Sequence, residues 1–447
     1  MLKYFGTDGV RGVANKNLTA TMAYRIGRCL GQYPNGKKNR ILVCRDTRVS
    51  GDMLRMSVTS GILASGGDVY DEGISTTPSI SYLVKKEGFD FGVMISASHN
   101  PYGDNGIKIF NSIGEKLDDQ IEEVIEEYMD RPEDDLPLPD DGLIGRYHEG
   151  DSLKREYIDW LAKKSRGLNL ENVKVLVDCA NGSASYVAPS LYSKIGLDAT
   201  FINASPNGVN INKDCGSTHL ESLKDEFAKG GYDLAFAFDG DSDRFMALSP
   251  DGRLIDGDAL IFLSALSMRK SKTLKDEKVV ITVMSNFGLR KVLDSNNIGY
   301  NIVGVGDKYV QAELKEHSLS LGGEQSGHVI FLDELNTGDG LLSSLKLLGI
   351  YCEEKDVFAK LKEFVVYPQV LKNVHFSSSE KLEKAASSPE VKKIIDSEDG
   401  RLGKNGRILV RKSGTEPLLR IMVEAPSDQL CESVASSIES YVLKEAH

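Results

Sequence analysis

Short apolar runs rich in β-branched and aromatic residues recur along the chain, and each run leads directly into a polar loop. They lie at residues 41–44, 175–177, 234–238 and 279–283. Strands that are apolar on both faces are typical of sheets covered by helices on both sides. The pattern therefore predicts an α/β protein whose ligand-binding loops follow the carboxyl ends of strands.

Helical stretches with one apolar face alternate with these runs. Thr19 is expected to cap one helix. A second helix is expected to have an apolar face made of Leu117, Ile121, Val124, Ile125 and Tyr128. The four glutamates of the second helix are expected to face solvent; they are Glu122, Glu123, Glu126 and Glu127.

The length of 447 residues is too great for a single hydrophobic core. Residues 131–141 are rich in proline and acidic residues, which indicates an exposed connection near the end of a first domain. Further breaks are expected near residues 251–252 and 367–368. Near the end of the sequence, two strands joined by a glycine-containing loop are expected over residues 407–411 and 418–423.

Charge and composition exclude several classes of protein. The net charge of -12 is opposite to the basic surface that broad nucleic-acid binding requires. No apolar stretch reaches the length of about twenty residues that a membrane span needs, and the first residues lack the apolar core of a signal peptide. The six cysteines are scattered without a CxxC pair. A cytoplasmic protein that binds neither nucleic acid nor membrane is expected.

Asp239, Asp241 and Asp243 alternate directly after the third apolar run. Side chains two residues apart on an extended backbone point the same way, so the three carboxylates are expected to converge. Like charges held this close repel unless a cation lies among them, and hard oxygen ligands suit Mg²⁺. A calcium-binding EF-hand loop is excluded, because Arg244 and Pro250 occupy positions that require glycine and glutamate. On this segment alone, a solvated acidic turn stays an alternative.

The segment 95–101, with the sequence ISASHNP, follows the apolar residues Val93 and Met94. A serine hydrolase is disfavoured, because the GxSxG motif is absent and His99 is adjacent to Ser98 in sequence. A serine that carries a phosphoryl group beside the metal fits better, with Ser98 as an exposed loop hydroxyl. A hydrogen-bonded turn without function stays an alternative on this segment alone.

Two further loops carry groups suited to sugar and phosphate. Residues 322–328, GGEQSGH, mix donors and acceptors that suit sugar hydroxyls, although a polar surface turn stays an alternative. Residues 411–417, RKSGTEP, with Arg420 behind them, predict a phosphate cradle of hydroxyl, backbone N–H and guanidinium groups. The cradle is not a Walker A loop, and Tyr309 replaces the third glycine of a dinucleotide fingerprint beginning at Gly304.

The motifs follow one another in the order found in the α-D-phosphohexomutase superfamily, which the chain resembles over nearly its full length. They are FGTDGVRG (5–12), SASHNP (96–101), PNGVNIN (206–212), DGDSDR (239–244), GEQSGH (323–328) and RKSGTEP (411–417). Gln325 and the FGTDGVRG opening are similar to the bacterial branch that acts on glucosamine phosphates. The branch that acts on mannose and glucose phosphates usually carries Met at the position of Gln325. That branch and a non-catalytic phosphosugar-binding protein stay as alternatives; the intact Ser98 and Lys108 disfavour the latter.

The resemblance implies three related α/β domains with mixed sheets and a smaller C-terminal α+β domain around a central cleft. The implied domains are 1–150 with the phosphoserine loop, 151–253 with the metal loop, 254–367 with the sugar-binding loop and 368–447 with the phosphate-binding loop. A homodimer is also implied.

The activity implied by the resemblance is the interconversion of glucosamine 6-phosphate and glucosamine 1-phosphate, for UDP-N-acetylglucosamine and cell-wall precursor synthesis. It would proceed through phosphorylated Ser98 and glucosamine 1,6-bisphosphate, with Lys108, Arg11 and Arg244 acting beside the phosphoserine. The implied Mg²⁺ ligands are Ser98, Asp239, Asp241 and Asp243. The implied substrate-binding residues are Glu324, Ser326, His328, Arg411, Ser413, Gly414, Thr415 and Arg420.

Two positions depart from the family pattern. Ser242 stands where the metal loop usually has glycine, so strain at a positive φ is expected. Lys412 stands where the phosphate loop usually has proline, which adds a charge and loosens the backbone.

Overall fold

The computed structural model describes residues 2–6, 8–33, 38–412 and 417–446. These residues form two compact units. The first comprises the described residues up to Met284 together with Ile298–Leu361, and the second comprises Ser285–Asn297 and the described residues from Lys362 onward. Three mixed sheets lie in the first unit and one antiparallel sheet lies in the second. The predicted α/β class with a smaller C-terminal α+β part is confirmed.

The first sheet has seven strands. They are β1 (Phe5–Gly6), β2 (Gly9–Val13), β3 (Arg40–Arg45), β4 (Asp68–Ile74), β5 (Phe91–Ile95), β6 (Asp104–Asn111) and β7 (Tyr147–Glu149). Their order is β1-β2-β6-β5-β3-β4-β7, with β3 parallel to β4 and β5, and β6 antiparallel to β5. All of β5 is buried, as expected for a strand covered on both faces. The helices of this part are α1 (Ala20–Gln32), α2 (Val49–Ala64), α3 (Thr77–Glu87), α4 (Asp119–Met129) and α5 (Asp151–Lys164), with a 3₁₀ turn at Asp141–Leu143.

Both predicted helices of this part are present, but α4 buries two side chains that were expected outside. Thr19 caps α1 by accepting a hydrogen bond from the backbone N–H of Met22 at 3.3 Å. In α4, Glu122 and Glu126 are buried, so the prediction of four solvent-facing glutamates was wrong for these two. Val124 was expected on the apolar face but is 41% exposed, so that prediction was wrong as well. The Glu126 carboxylate accepts hydrogen bonds from the backbone N–H groups of residues 3–5, because the N-terminal segment lies over this face of the helix.

The second sheet places the acidic loop at the end of a buried strand. Its strands are β8 (Lys174–Asp178), β9 (Asp198–Ile202), β10 (Leu234–Phe238), β11 (Phe245–Leu248) and β12 (Leu254–Ile255), in the order β12-β11-β10-β8-β9. Strand β10 is parallel to β8 and antiparallel to β11, so Phe238 lies opposite Phe245 and residues 239–244 close a hairpin. The helices are α6 (Ala184–Ile195) and α7 (Glu221–Phe227).

The third sheet carries the GGEQSGH loop in its β15–β16 hairpin. Its strands are β13 (Lys278–Thr282), β14 (Gly299–Val303), β15 (Leu321–Gly323) and β16 (Val329–Phe331), in the order β14-β13-β15-β16. The helix that follows β13 in sequence, α9 (Phe287–Ser295), belongs to the second unit. The helices of this part are α8 (Gly257–Lys270), α10 (Asp307–Glu316), α11 (Gly340–Glu353) and α12 (Lys355–Phe358), with 3₁₀ turns at Lys275–Glu277 and Ala359–Glu363.

The second unit contains the fourth sheet and, in addition, α9. The sheet consists of β17 (Gln369–His375), β18 (Arg407–Lys412) and β19 (Leu418–Glu424), in the order β17-β19-β18, which confirms the two strands predicted near the end of the sequence. The helices that cover it are α13 (Ser379–Ala386), α14 (Pro389–Leu402) and α15 (Asp428–Ala446), with a 3₁₀ turn at Gly403–Asn405. The buried carboxylate of Glu424 accepts hydrogen bonds from Nδ2 of Asn286 and the backbone N–H of Phe287, both at 3.1 Å, and so anchors the start of α9.

Across the described part of the chain, every helix is too short or too polar to traverse a lipid bilayer.

Candidate active site

Ser98 lies in a tight loop at the carboxyl end of β5. Its Oγ donates a hydrogen bond to Oδ2 of Asp239 at 2.6 Å, and the residue is 2% exposed. The expectation of an exposed loop hydroxyl was therefore wrong. The backbone of Ser98 has a φ of +51°, in the left-handed region that residues other than glycine enter rarely. A backbone held in this way is typical of functional sites.

The three carboxylates of the acidic loop meet through a turn rather than along an extended strand. Asp239, Asp241 and Asp243 lie between β10 and β11, and each offers an oxygen within 4.8 Å of the others. The backbone N–H of Ser242 donates to the carbonyl oxygen of Asp239 at 3.1 Å and closes the turn. The carboxylates thus converge as predicted, although alternation on an extended backbone was the wrong reason. Ser242 has the expected positive φ, at +61°.

The chemistry of this triad fits a hard divalent cation. Asp239 and Asp241 are fully buried and Asp243 is 8% exposed. Within the described part of the chain, Oδ1 of Asp241 and Oδ1 of Asp243 are buried and have no hydrogen-bond donor. Burial, and then the charges of Asp243 and Asp241, raise the pKa of Asp239 well above its usual range. A divalent cation coordinated by these oxygens would offset both the repulsion and the missing hydrogen bonds, so the triad is a candidate Mg²⁺ site.

Lys108 on β6 lies between the acidic loop and the N-terminal segment. Its Nζ is 2.8 Å from Oδ2 of Asp241 and 3.0 Å from Oδ2 of Asp8, and the residue is 1% exposed. Burial opposes the charged form of Lys108, but Asp241 and Asp8 outweigh it and hold its pKa well above the usual range. Burial likewise opposes the charged form of Asp241, yet Lys108 lowers the pKa of that carboxyl to about 2. Lys108 is thus a fixed, buried cation and not a surface lysine.

Two residues that support this arrangement were missed from the sequence. Thr77 is the first residue of α3, and its Oγ1 donates to Oδ2 of Asp241 while its backbone N–H donates to the carbonyl oxygen of Asp241 at 3.0 Å. Asp8 pairs with Lys108 from within the FGTDGVRG motif, so that motif was the signal for it. No local pattern marks Thr77, because 164 residues separate it from Asp241.

Two arginines supply positive charge near Ser98. Arg11, Arg244 and Ser98 line the same cavity, which has a volume of about 1010 Å³, and Arg11 forms an ion pair with Asp8. Nδ1 of His99 is 3.4 Å from Oγ of Ser98. Burial, followed by the charges of Arg244 and Arg11, lowers the pKa of His99 to about 4. The imidazole is therefore neutral at pH 7, and the positive charge near Ser98 belongs to the arginines.

The GGEQSGH loop forms one wall of the same cavity. Its lining residues are Glu324, Gln325, Ser326 and His328. Gly327 has a φ of +94°, and a Cβ there would lie 2.3 Å from the carbonyl oxygen of Phe245, so glycine is required. Nε2 of Gln325 donates to Oδ2 of Asp256 at 3.3 Å. The loop thus presents a carboxylate, an amide, a hydroxyl and an imidazole to one cavity, a mixture that suits sugar hydroxyls.

Arg411 and Arg420 lie opposite each other on the paired strands β18 and β19 of the second unit. Burial, and then the charge of Arg420, lowers the pKa of Arg411. A bound anion would relieve this repulsion, as expected for a phosphate cradle. Nζ of Lys412 is 2.6 Å from Oε1 of Glu383 in an exposed ion pair. The other predicted cradle residues lie outside the described residues; they are Ser413, Gly414 and Thr415.

Family models assign the chain to a class of phosphosugar-handling α/β proteins. The models described as phosphoglucomutase/phosphomannomutase alpha/beta/alpha domains I, II and III match residues 2–135, 155–252 and 256–367. The model of the C-terminal domain matches residues 371–440. The chain therefore belongs to the phosphoglucomutase/phosphomannomutase family.

Within this family, the chain is similar over its whole length to proteins named phosphoglucosamine mutase. The phosphoglucosamine mutase of Lachnoclostridium phytofermentans is 43% identical, over 100% of this chain and 99% of the relative. The phosphoglucosamine mutase of Clostridioides difficile is also 43% identical, over 99% of each chain. That of Geobacillus thermodenitrificans is 42% identical, over 100% of this chain and 99% of the relative.

Solved structures share the fold. A phosphoglucomutase/phosphomannomutase family protein from Burkholderia thailandensis has a TM-score of 0.80 and 24% identity, covering 100% of this chain and 98% of that chain. The Aspergillus fumigatus N-acetylphosphoglucosamine mutase, solved in complex with GlcNAc-6P and magnesium, has a TM-score of 0.71 and 18% identity, covering 100% and 96%. At these identities the likeness establishes the fold.

Proposed function

We propose that the chain is a phosphoglucosamine mutase, an isomerase that interconverts glucosamine 6-phosphate and glucosamine 1-phosphate. Identity of 43% over the whole chain with proteins of that name supports the activity. The observation that carries the proposal is the 2.6 Å hydrogen bond from Oγ of Ser98 to Asp239, inside a buried carboxylate triad. A serine at such a triad is suited to carry a phosphoryl group, since phosphoryl transfer depends on positioning and charge neutralisation.

The reaction consists of two phosphoryl transfers at Ser98. In the first, the bond between Oγ and phosphorus breaks and a bond from phosphorus to O1 of glucosamine 6-phosphate forms. The O1 proton is lost to water, and Oγ of Ser98 takes up a proton. The resulting glucosamine 1,6-bisphosphate reorients in the site. In the second transfer, Oγ of Ser98 loses its proton and bonds to the phosphorus on O6, the bond from phosphorus to O6 breaks, and O6 receives a proton. Glucosamine 1-phosphate leaves, and the phosphoserine is regenerated.

Lys108, Arg11 and Arg244 neutralise the transferring phosphoryl group in this proposal. Asp241 and Asp8 raise the pKa of Lys108, which keeps it positively charged beside the transferring group, where it neutralises that group or assists proton transfer. The groups that would hold Mg²⁺ are Asp239, Asp241, Asp243 and the phosphate on Ser98, and the ion would supply further charge neutralisation.

The sugar is held by the GGEQSGH loop in this proposal. Glu324 and Ser326 bind hydroxyl groups of the sugar, with His328 in the same wall of the cavity. Gln325 recognises the amino group of glucosamine. The non-reacting phosphate is bound by one cradle that accepts either end of the sugar after reorientation. Its members are Arg411, Ser413, Gly414, Thr415 and Arg420.

The proposal extends to organisation. Domains at 1–150, 151–253, 254–367 and 368–447 correspond to the phosphoserine, metal, sugar and phosphate loops in turn. A homodimer and a cytoplasmic location, with a role in UDP-N-acetylglucosamine and cell-wall precursor synthesis, complete it.

The deciding experiment is an Mg²⁺-dependent coupled assay with glucosamine 6-phosphate, glucose 6-phosphate and mannose 6-phosphate, under a bisphosphate activator. Preference for glucosamine 6-phosphate supports the proposal, and preference for a neutral hexose phosphate assigns the chain to the sister activity. Ser98→Ala is expected to abolish turnover and phosphate incorporation. Ser57→Ala, at a half-buried hydroxyl of α2 that donates to the carbonyl oxygen of Met53, is expected to retain both. Turnover by Ser98→Ala would remove Ser98 from the mechanism.

A further inference from the structure

Two side chains from separate parts of the sequence converge on the backbone of the loop that carries Ser98. Arg48 and Asn212 both donate hydrogen bonds to the carbonyl oxygens of Ser98 and Asn100. We call this pair the carbonyl clamp. Neither side chain contacts the hydroxyl of Ser98 among the hydrogen bonds of the described residues, so any effect on that hydroxyl is transmitted through the backbone.

The Arg48 half of the clamp is a buried guanidinium. Nη2 donates to the carbonyl oxygens of Ser98 at 2.9 Å and Asn100 at 2.8 Å. Nη1 donates to those of Asp104, at 3.0 Å, and Pro101. Arg48 is 1% exposed, and burying a guanidinium is unfavourable unless its donors are satisfied. Here one rigid fork holds four carbonyl oxygens of the loop in a single geometry.

A buried carboxylate fixes the direction of that fork. Oδ2 of Asp46 accepts from Nε of Arg48 at 2.8 Å and from Oγ of Ser96 at 2.7 Å. Oγ of Ser96 in turn accepts from the backbone N–H of Ser98 at 2.9 Å. The N–H and the carbonyl of Ser98 are therefore both tied to the Asp46–Arg48 pair.

The Asn212 half of the clamp closes the PNGVNIN motif, to which the proposed reaction gives no role. Nδ2 of Asn212 donates to the carbonyl oxygens of Ser98 at 2.8 Å and Asn100 at 3.1 Å. The motif is docked beside Arg48, because the backbone N–H of Val49 donates to the carbonyl oxygen of Gly208 at 2.9 Å. The loop that follows β9 of the second sheet is thus hydrogen-bonded to the loop that follows β5 of the first sheet.

The conformation that the clamp holds is one that Ser98 would not keep unaided. A left-handed backbone is unfavourable for a residue with a Cβ, because the Cβ approaches the following carbonyl oxygen too closely. Relaxation of φ from +51° would rotate Oγ away from the carboxylate of Asp239 that it contacts at 2.6 Å. We propose that Arg48 and Asn212 are positioning residues for phosphoryl transfer, which hold the Ser98 backbone so that Oγ faces the metal loop. This inference rests on the proposed role of Ser98 as the phosphoryl carrier.

The test measures transfer to Ser98 directly. Dephosphorylated full-length protein is mixed with Mg²⁺ and glucose 1,6-bisphosphate, and phosphate uptake at Ser98 is followed by quenching and mass spectrometry. Asn212→Asp replaces the donor by an acceptor of the same shape and is expected to slow uptake by about a hundredfold, the effect of a displacement near 1 Å. Asn210→Asp serves as the matched control, because it makes the same change on the same loop, at a half-buried amide that donates to the carbonyl oxygen of Ser205 and not to the Ser98 loop.

A second pair of variants probes the other half of the clamp. Arg48→Lys removes the planar fork and is expected to slow uptake similarly. Arg25→Lys makes the same change where the guanidinium donates to the carbonyl oxygens of Met129 and Arg131, and it is expected to retain the wild-type rate. Mg²⁺ affinity by calorimetry and the KM for glucosamine 6-phosphate are expected to stay near wild type, with the loss in kcat. A role confined to folding would lower the melting temperature and leave the rate of the folded protein unchanged.

The outcomes separate the two proposals. Equal rates for Asn212→Asp and Asn210→Asp, with a phosphorylated wild type, overturn the clamp and leave the proposed function standing. Loss of Mg²⁺ affinity in step with the rate also overturns it, because the defect would then lie in the metal loop. A wild type that takes up no phosphate at Ser98 refutes both. If Arg48→Lys does not fold, the Asn212 pair decides alone.

Discussion

Replacement of Lys108 by methionine tests whether the triad depends on an internal cation. Methionine keeps most of the length and packing of the side chain but removes the charge that lies 2.8 Å from Asp241, 3.0 Å from Asp8 and 3.6 Å from Asp243. We expect a marked loss of stability without metal, because removal of one partner leaves buried carboxylates uncompensated.

The magnitude follows from the pKa of Asp241. Burial raises that pKa and Lys108 more than reverses the effect, taking it from 3.8 to about 2, which corresponds to about 2 kcal/mol. Since the folded pKa is depressed, this contribution is present above pH 4 and is lost as the pH falls through about 2. Loss of the pair with Asp8 adds to it, so Lys108→Met is expected to lower the free energy of unfolding by about 3–5 kcal/mol at pH 7.

The assay is urea unfolding followed by circular dichroism, in EDTA and in Mg²⁺. Because Mg²⁺ brings charge to the same carboxylates, the variant is expected to gain more stability from Mg²⁺ than the wild type gains. Lys86→Met is the control, since Lys86 is 52% exposed at the side chain and solvent screens its ion pair with Glu156. A loss below about 1 kcal/mol for Lys108→Met, or equal Mg²⁺ gains in both proteins, would refute the reasoning.

Three further predictions concern stability and selectivity. Burial raises the pKa of Glu72 from 4.5 to about 7, so the stability contributed by its protonated form is present below pH 4.5 and lost as the pH rises through 7. Between pH 4.5 and pH 8, the free energy of unfolding of Glu72→Gln is therefore expected to rise by about 3 kcal/mol relative to that of the wild type. Plots of unfolding free energy against pH that run parallel for the two proteins would contradict this. Ser242→Gly removes a side chain at a φ of +61° and is expected to raise the free energy of unfolding by about 1 kcal/mol in urea titrations; a lower value would show that the turn is not strained. Gln325→Met loses the contact with Asp256 and is expected to reduce the preference for glucosamine phosphate over glucose phosphate by about tenfold in kcat/KM; an unchanged ratio would exclude Gln325 as the specificity residue.

The sequence predicted the parts of the site that reside in single loops. Apolar runs that end in polar loops indicated the α/β class, because a strand buried on both faces consists almost entirely of apolar residues. The convergence of Asp239, Asp241 and Asp243 was predicted correctly but for the wrong reason, since a turn closed by Ser242 brings them together. Ligand chemistry is therefore readable where the reacting groups are neighbours in sequence.

Contacts between distant segments escaped prediction. Glu126 was expected outside because helical periodicity does not reveal that the N-terminal segment supplies backbone donors to it. Ser98 was expected to be exposed because the segments that bury its loop, through Arg48 and Asn212, are 50 and 114 residues away. Such partners depend on tertiary packing, which has no local signature.

The membership of α9 in the second unit sets a rule for building chimeras within this family. The chain passes between the first and the second unit at three points, near residues 284, 297 and 361, and not at a single linker. An exchange of residues 368–447 alone between two relatives would pair a foreign Glu424 with the native Asn286 and Phe287. Exchanges that include residues 285–297 together with the C-terminal part keep these partners matched. The unit that can be exchanged between relatives is therefore discontinuous in sequence.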